Sequence, residues 1–331
     1  MQRFKNILCV LEHGEVSKPA LERAVELAES NQADLTVIEV LPEVPIGAHV
    51  LDGGLDPEQL KAAIKSKHEQ QMAPLLAPYD ERLPIDHKIL FGTSFLEVIR
   101  EVLRHEHDLV IKCPESPGWL DRFLAGDDMH LLRKCPCPVW FIKPHAAGSF
   151  KRILAAVDVD EFYAPQEMNT RRMLNVQILE MAASLALSES ADLHIVHAWT
   201  SMTEMVDGLA FSSDIPREQQ AARIDKERRH QQNLLDTMIE NTKNNNHDAR
   251  EALDYLKPRT HLVKGSPRKE VPALADSLGV DCLVMGTVAR TGIRGFFMGN
   301  TAETILEQID CSVLAIKPKG FVTPVALELR A

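Results

Sequence analysis

The sequence predicts an α/β protein of two domains, each a parallel sheet covered by helices on both faces. Three observations predict it. The chain has 331 residues, about the length of two domains. Its two halves repeat one another. Within each half, short apolar runs alternate with helical patterns, the signature of strand–helix–strand units.

The repeat is legible at four places. Phe4-Lys-Asn-Ile-Leu-Cys-Val-Leu-Glu12 aligns with Phe150-Lys-Arg-Ile-Leu-Ala-Ala-Val-Asp158. Ala33-Asp34-Leu35 aligns with Ala191-Asp192-Leu193. His107-Asp108-Leu-Val-Ile-Lys112 aligns with Val280-Asp281-Cys-Leu-Val-Met285, and Cys137-Pro-Val-Trp-Phe-Ile-Lys-Pro144 with Cys311-Ser-Val-Leu-Ala-Ile-Lys-Pro318. Such self-similarity marks duplicated units. The predicted domains are 1–145 and 150–318, followed by a tail at 319–331.

The elements follow in order. Strands are predicted at 6–11, 35–40, 86–90, 108–112 and 138–143, and again at 152–157, 193–198, 259–263, 281–285 and 312–317. Residues 18–30 place Ala20, Leu21, Ala24, Val25, Leu27 and Ala28 on one helical face. Asp56-Pro57-Glu58 starts a helix: a cap, a proline at the first position and an acid in the first turn. Polar-rich helices are predicted at 58–77 and 217–242. They follow apolar connections at 42–55 and 200–216. Those connections serve as packing under long loops or as pocket walls.

Composition excludes some classes. The chain is 45% hydrophobic and 26% charged, a globular balance. No apolar run reaches the ~18 residues of a membrane span. The first residues read as a strand rather than a leader, which predicts a cytosolic protein. The net charge of −11 argues against generic nucleic-acid binding, which needs Lys and Arg to neutralise phosphate. Cys9, Cys282 and Cys311 fall in or beside apolar runs and read as buried small hydrophobes. Cys135-Pro-Cys137-Pro has no second pair at zinc-site spacing, so it reads as a structural loop entering a strand. His105-Glu-His107-Asp108 lacks helical ligand spacing and reads as a surface turn, and Asp52-Gly-Gly-Leu-Asp56 as a turn before the helix cap.

The most informative segment runs from Gly286 to Thr301. An apolar run precedes it and a helical pattern follows. A glycine-rich loop between strand and helix lets backbone approach an anion, and the free N–H groups of the helix start face it. Gly286, Ala289, Gly299 and Asn300, followed by Thr301, resemble the Gly-x2-Gly-x9-Gly-Ser/Thr pattern of ATP-binding universal stress proteins. Two positions depart from it: Ala289 replaces a glycine, and Asn300 a Ser or Thr. Ala289 costs about 1 kcal/mol if its position needs positive φ. The repeat extends the resemblance to both halves, and the chain looks like the tandem type of that family.

The resemblance implies a five-stranded parallel sheet per domain, in order 3-2-1-4-5. It implies that strands 138–143 and 312–317 meet across an internal pseudo-two-fold, and it admits a homodimer. It also implies ATP, with Mg²⁺, at the carboxyl ends of strands 1, 2 and 4 of the second half, as the rule for open α/β sheets requires. Asp158 would contact ribose or adenine, and His197 and Ala198 would lie by the base. Gly286, Ala289, Arg290, Gly299, Asn300 and Thr301 would surround the phosphates, with Arg290 and Arg294 adding charge-assisted contacts. No catalytic or metal-ligating residue is assigned.

The first half reads differently. Cys113, Ser116, Gly126 and Asp127 take the places of Gly286, Ala289, Gly299 and Asn300, and Glu12 replaces Asp158. Carboxylates at Asp127 and Asp128 would stand where phosphate belongs. At ~4 Å, such a charge pair costs about 1–4 kcal/mol. The first half is therefore predicted not to bind ATP. The functional reading is a stress-response sensor that binds rather than turns over its ligand. A binder of an apolar or nucleotide-conjugate ligand, a slow ATPase or phosphotransferase using Asp158, and an interaction protein with vestigial pockets remain the alternatives.

Overall fold

The computed structural model describes residues 4–12, 17–44, 57–114, 126–143, 148–209, 216–287 and 298–327. It divides into two compact units, residues 1–147 with 322–331 and residues 148–321.

In the first unit the elements are β1 (Asn6–Leu11), α1 (Lys18–Asn31), β2 (Asp34–Leu41), α2 (Pro57–Leu76), β3 (Ile85–Phe91), α3 (Ser94–His105), β4 (Leu109–Lys112), α4 (Asp127–Lys134) and β5 (Val139–Phe141). All pairings are parallel. β1 pairs with β2 and β4, β2 with β3, and β4 with β5, giving the order β3-β2-β1-β4-β5. The predicted strands therefore form in sequence.

The second unit contains β6 (Arg152–Ala156), α5 (Pro165–Glu189), β7 (Asp192–Trp199), α6 (Met202–Leu209), α7 (Arg217–Asn245), α8 (His247–Leu256), β8 (Arg259–Lys264), α9 (Pro267–Leu278), β9 (Cys282–Gly286), α10 (Asn300–Leu306) and β10 (Ser312–Ile316). Its order, β8-β7-β6-β9-β10, repeats that of the first unit. The stretch 200–216, read as a connection, folds in part into α6. Glu227 on α7 accepts from Ser201 Oγ, Thr203 N and Thr203 Oγ1 and so fixes the start of that short helix.

Sheet order decides where the helices lie. Passing from β6 to β7 to β8 moves one way across the sheet, whereas β8 to β9 to β10 moves the other way. Right-handed crossovers then put α5, α7 and α8 on one face and α9 and α10 on the opposite face. Both faces are covered, so the central strands are apolar throughout: Ile7 to Val10, Leu109 to Ile111, Ile153 to Ala155 and Cys282 to Val284 are all fully buried.

The duplication extends to single hydrogen bonds. Asp108 accepts from the backbone N–H groups of Lys5 and Asn6, and Asp281 accepts from those of Lys151 and Arg152. Each carboxylate pins the entry to its unit's first strand. His105–Asp108 forms a turn exposed at His105 and Glu106, as read, but His107 within it is buried. Gln32 and Ser190 end α1 and α5 in the left-handed conformation, at φ 52° and 54°. Gly92 and Gly265 follow β3 and β8 at φ 144° and 147°. A Cβ at Gly265 would lie 2.7 Å from Glu270 Cγ. At this positive φ any other residue would be strained, and its Cβ would press on the Glu270 side chain.

All six cysteines are buried free thiols. Cys135 closes α4 by donating its N–H to Leu131 O. Its sulfur lies 3.6 Å from that of Cys137. The pair thus belongs to the turn into β5. Among the described residues, no group of three His, Cys, Asp or Glu side chains is placed to hold a metal ion. Among them, too, no helix is long and apolar enough to cross a membrane.

Candidate functional site

A cavity of about 960 Å³ opens at the carboxyl ends of β6, β7 and β9 in the second unit. That volume lies near the top of the range for small-molecule sites. One wall comes from the loop after β6 and from α5. It presents Asp158, Asp160, Tyr163, Glu167, Arg171, Leu174 and Ile178. The other comes from the first two turns of α9 and α10. It presents Arg268, Val271, Gly299, Asn300, Thr301 and Ile305. Ala198, Thr200, Met285 and Gly286, at or just beyond the strand ends, also line it.

Asp158 is held by several contacts. Its carboxylate accepts from Arg171 Nη1 at 2.6 Å, Tyr163 Oη at 2.8 Å and the Asp160 N–H at 3.2 Å. Its backbone exchanges two hydrogen bonds with the Asn175 amide. Arg171 also lies over the Tyr163 ring, 3.5 Å from its centroid. Burial, followed by Asp158, raises the Tyr163 phenol well above its ordinary range. Burial, followed by Asp158, likewise pushes the Asp160 carboxyl up.

Gly286 ends β9. A Cβ there would lie 2.6 Å from Leu174 Cδ2 and 3.5 Å from Ile178 Cδ1. The glycine therefore lets α5 pack close across the strand end, a reason the sequence reading did not contain. Gly299 caps α10 in an extended conformation, φ −70° and ψ 136°. Its N–H donates to Thr287 O, and Thr287 Oγ1 accepts from the buried Lys317 amine at 2.7 Å. This arrangement fixes the start of α10. The first N–H groups of a helix have no partner within it, and those of α10 belong to cavity-lining residues.

The structure brings together Asp158, Ala198, Gly286, Gly299, Asn300 and Thr301 from the expected set. His197 is placed elsewhere. Side chains alternate along a strand, so His197 points away from the wall that Ala198 helps form. It is 1% exposed. Its ring contacts Val157 O at 3.3 Å and Gln231 Oε1 at 3.2 Å, and Gln231 Nε2 donates to Asp160. This corrects its assignment beside a base: His197 braces the wall from behind. Ala289, Arg290 and Arg294 lie outside the described residues. Sequence reasoning missed Asp160, Tyr163, Arg171 and Arg268. The only signals were a carboxylate two residues after Asp158 and an arginine following the Ser266-Pro267 helix start.

At the corresponding place in the first unit, three charged side chains meet among the described residues. Lys112, where the second unit has Met285, is buried, with Nζ 2.5 Å from both Glu12 Oε1 and Asp128 Oδ1. Glu12 corresponds to Asp158, and Asp128 to Thr301. Burial opposes charge on Lys112. The adjoining Asp128 and Glu12 carboxylates outweigh it and raise the amine above its usual range. Ser94 Oγ also donates to Glu12 at 3.3 Å. Asp128 thus stands in the first turn of α4 where the second unit has Thr301, and it is paired with a lysine that the spacing argument overlooked.

The fold and the cleft define a tandem α/β protein with one ligand-sized cleft described in its second unit. The model of the universal stress protein family matches residues 3–143 and 174–317, and the chain belongs to that family of stress-response proteins. It is 28% identical over 335 residues to universal stress protein E of Escherichia coli strain K12, covering 99% of this chain and 98% of the relative. Among solved structures, a putative universal stress protein from Pseudomonas aeruginosa UCBPP-PA14 shares the fold at TM-score 0.62 and 24% identity, over 96% of this chain and 94% of that one. A universal stress protein from Archaeoglobus fulgidus DSM 4304 shares it at TM-score 0.57 and 15% identity, covering 94% and 98%.

Proposed function

We propose that the chain is a ligand-sensing stress protein whose second unit binds an adenine nucleotide, ATP with Mg²⁺, while its first unit does not. The observation that carries the reading is the contrast between the two strand ends. In the second unit, Gly286, Gly299, Asn300 and Thr301 border an open cleft. In the first, Lys112, Glu12 and Asp128 close on one another. Glycine and a helix start suit phosphate, and Asp158 with Asp160 suits hydroxyl or amino donors. Mg²⁺ would arrive with the nucleotide and neutralise its phosphates. With Asp158 engaged by Arg171 and Tyr163, the function is binding rather than rapid turnover.

Gly299→Asp tests this. It puts a carboxylate at the start of α10, so calorimetry should register loss of ATP binding with the fold intact by circular dichroism. Unchanged affinity would contradict the site.

A second reading rests on Leu174. Its side chain stands against Gly286, and Ile178, Val271 and Ile305 extend an apolar lining. That surface suits a nucleotide conjugate with an apolar part. Mass spectrometry of the gently purified protein separates the two, since a conjugate would appear at a mass different from that of ATP.

A further inference from the structure

Two arginines among the described residues line the cleft, and they are in different states. Arg171 is committed: it pairs with Asp158 at 2.6 Å and lies on Tyr163. Arg268 is exposed in the first turn of α9, and its side chain has no ion pair with the described residues. Its position is nonetheless fixed. Its backbone carbonyl accepts from Gln308 Nε2 at 3.1 Å, which ties the start of α9 to the segment just after α10. Gly265 sets the corner immediately before it.

The walls differ in charge accordingly. The α5 wall carries Asp158, Asp160 and Glu167 against Arg171 alone. The α9–α10 wall carries Arg268 beside the uncharged Asn300 and Thr301. A ligand with one anionic end therefore has one favourable orientation, with phosphates toward α9 and α10 and hydroxyl or amino donors toward Asp158 and Asp160. We propose that Arg268 is the specificity-determining residue by which the second unit distinguishes a nucleoside triphosphate from the uncharged nucleoside. The guanidinium holds a planar fork of donors that fits phosphate oxygens in two-point contact. This inference rests on the nucleotide reading above and adds to it which residue reads the charge.

The experiment is calorimetric titration of the full-length chain with Mg-ATP and with adenosine, for the native protein, Arg268→Gln and Arg171→Gln. Losing one charge-assisted contact weakens binding roughly tenfold or more. Arg268→Gln should therefore lower ATP affinity about tenfold and leave adenosine affinity within about twofold, so that discrimination collapses. It should also flatten the dependence of ATP affinity on salt. Arg171→Gln should shift both ligands together, because it releases the Asp158 wall that both contact. An unchanged ATP-to-adenosine ratio in Arg268→Gln, with ATP still bound, would overturn the role of Arg268 alone. A native protein that binds neither ligand would overturn the nucleotide reading, and this inference with it.

Discussion

Lys112 sits where the second unit has Met285, and that single exchange sets much of the difference between the two units. A buried ammonium between two carboxylates is costly to create and costly to break. Lys112→Met leaves Glu12 and Asp128 buried without their cation, and should destabilise the protein by about 3–5 kcal/mol in urea unfolding. Adding Glu12→Gln and Asp128→Asn should recover much of the loss. A single variant as stable as the native chain would show that the cluster does not hold the first unit closed. His107 gives a second residue-scale test. Burial, outweighing nearby Glu101, holds its imidazole down to about 4, below the ordinary 6.5. A depressed histidine contributes its full stability above the unfolded value, and that contribution is lost as pH falls toward the folded one. Between pH 7 and 4.5 this should remove about 2–3 kcal/mol. The repeat places Val280 at the corresponding position. His107→Val should therefore unfold with a shallower acid dependence, and equal slopes for both proteins would refute the assignment.

The elements were the most legible part of the sequence. Strands announce themselves where both sheet faces are covered, because the apolar run is then continuous: Ile7 to Val10 is buried along its length. Helix α1 was legible for the complementary reason, since its inward stripe is Ala20, Leu21, Ala24, Val25 and Ala28. The short α6 was not, because tertiary contacts to Glu227 fix it rather than its own pattern. The cleft was half legible. Gly286 and Gly299 lie in one continuous segment and their spacing can be counted. Arg171, Tyr163 and Arg268 reach the cleft only through the packing of α5 and α9, which no local spacing encodes. His197 was misplaced by a single step of strand alternation. Gly286 permits a test at this scale. Gly286→Ala should press a methyl on Leu174 and destabilise the second unit by about 1–3 kcal/mol. Leu174→Ala should compensate for it in a double-mutant cycle. Additive effects would mean that α5 does not set the glycine.

At the scale of the molecule, duplication has produced two units with the same strand order and the same aspartate pins, but with opposite endings to their central strands. At the ends of its central strands the first unit joins Glu12, Lys112 and Asp128 in ion pairs. In the second, the described residues at that position line a cavity. Family membership accounts for the shared fold, and the side chains at the strand ends account for the divergence. The most direct test is the number of nucleotides each chain carries. Native mass spectrometry of the full-length protein with excess Mg-ATP, repeated after denaturation to identify what is released, should find one adenine nucleotide per chain. Two per chain would contradict the closed first unit, and none would contradict the open second one.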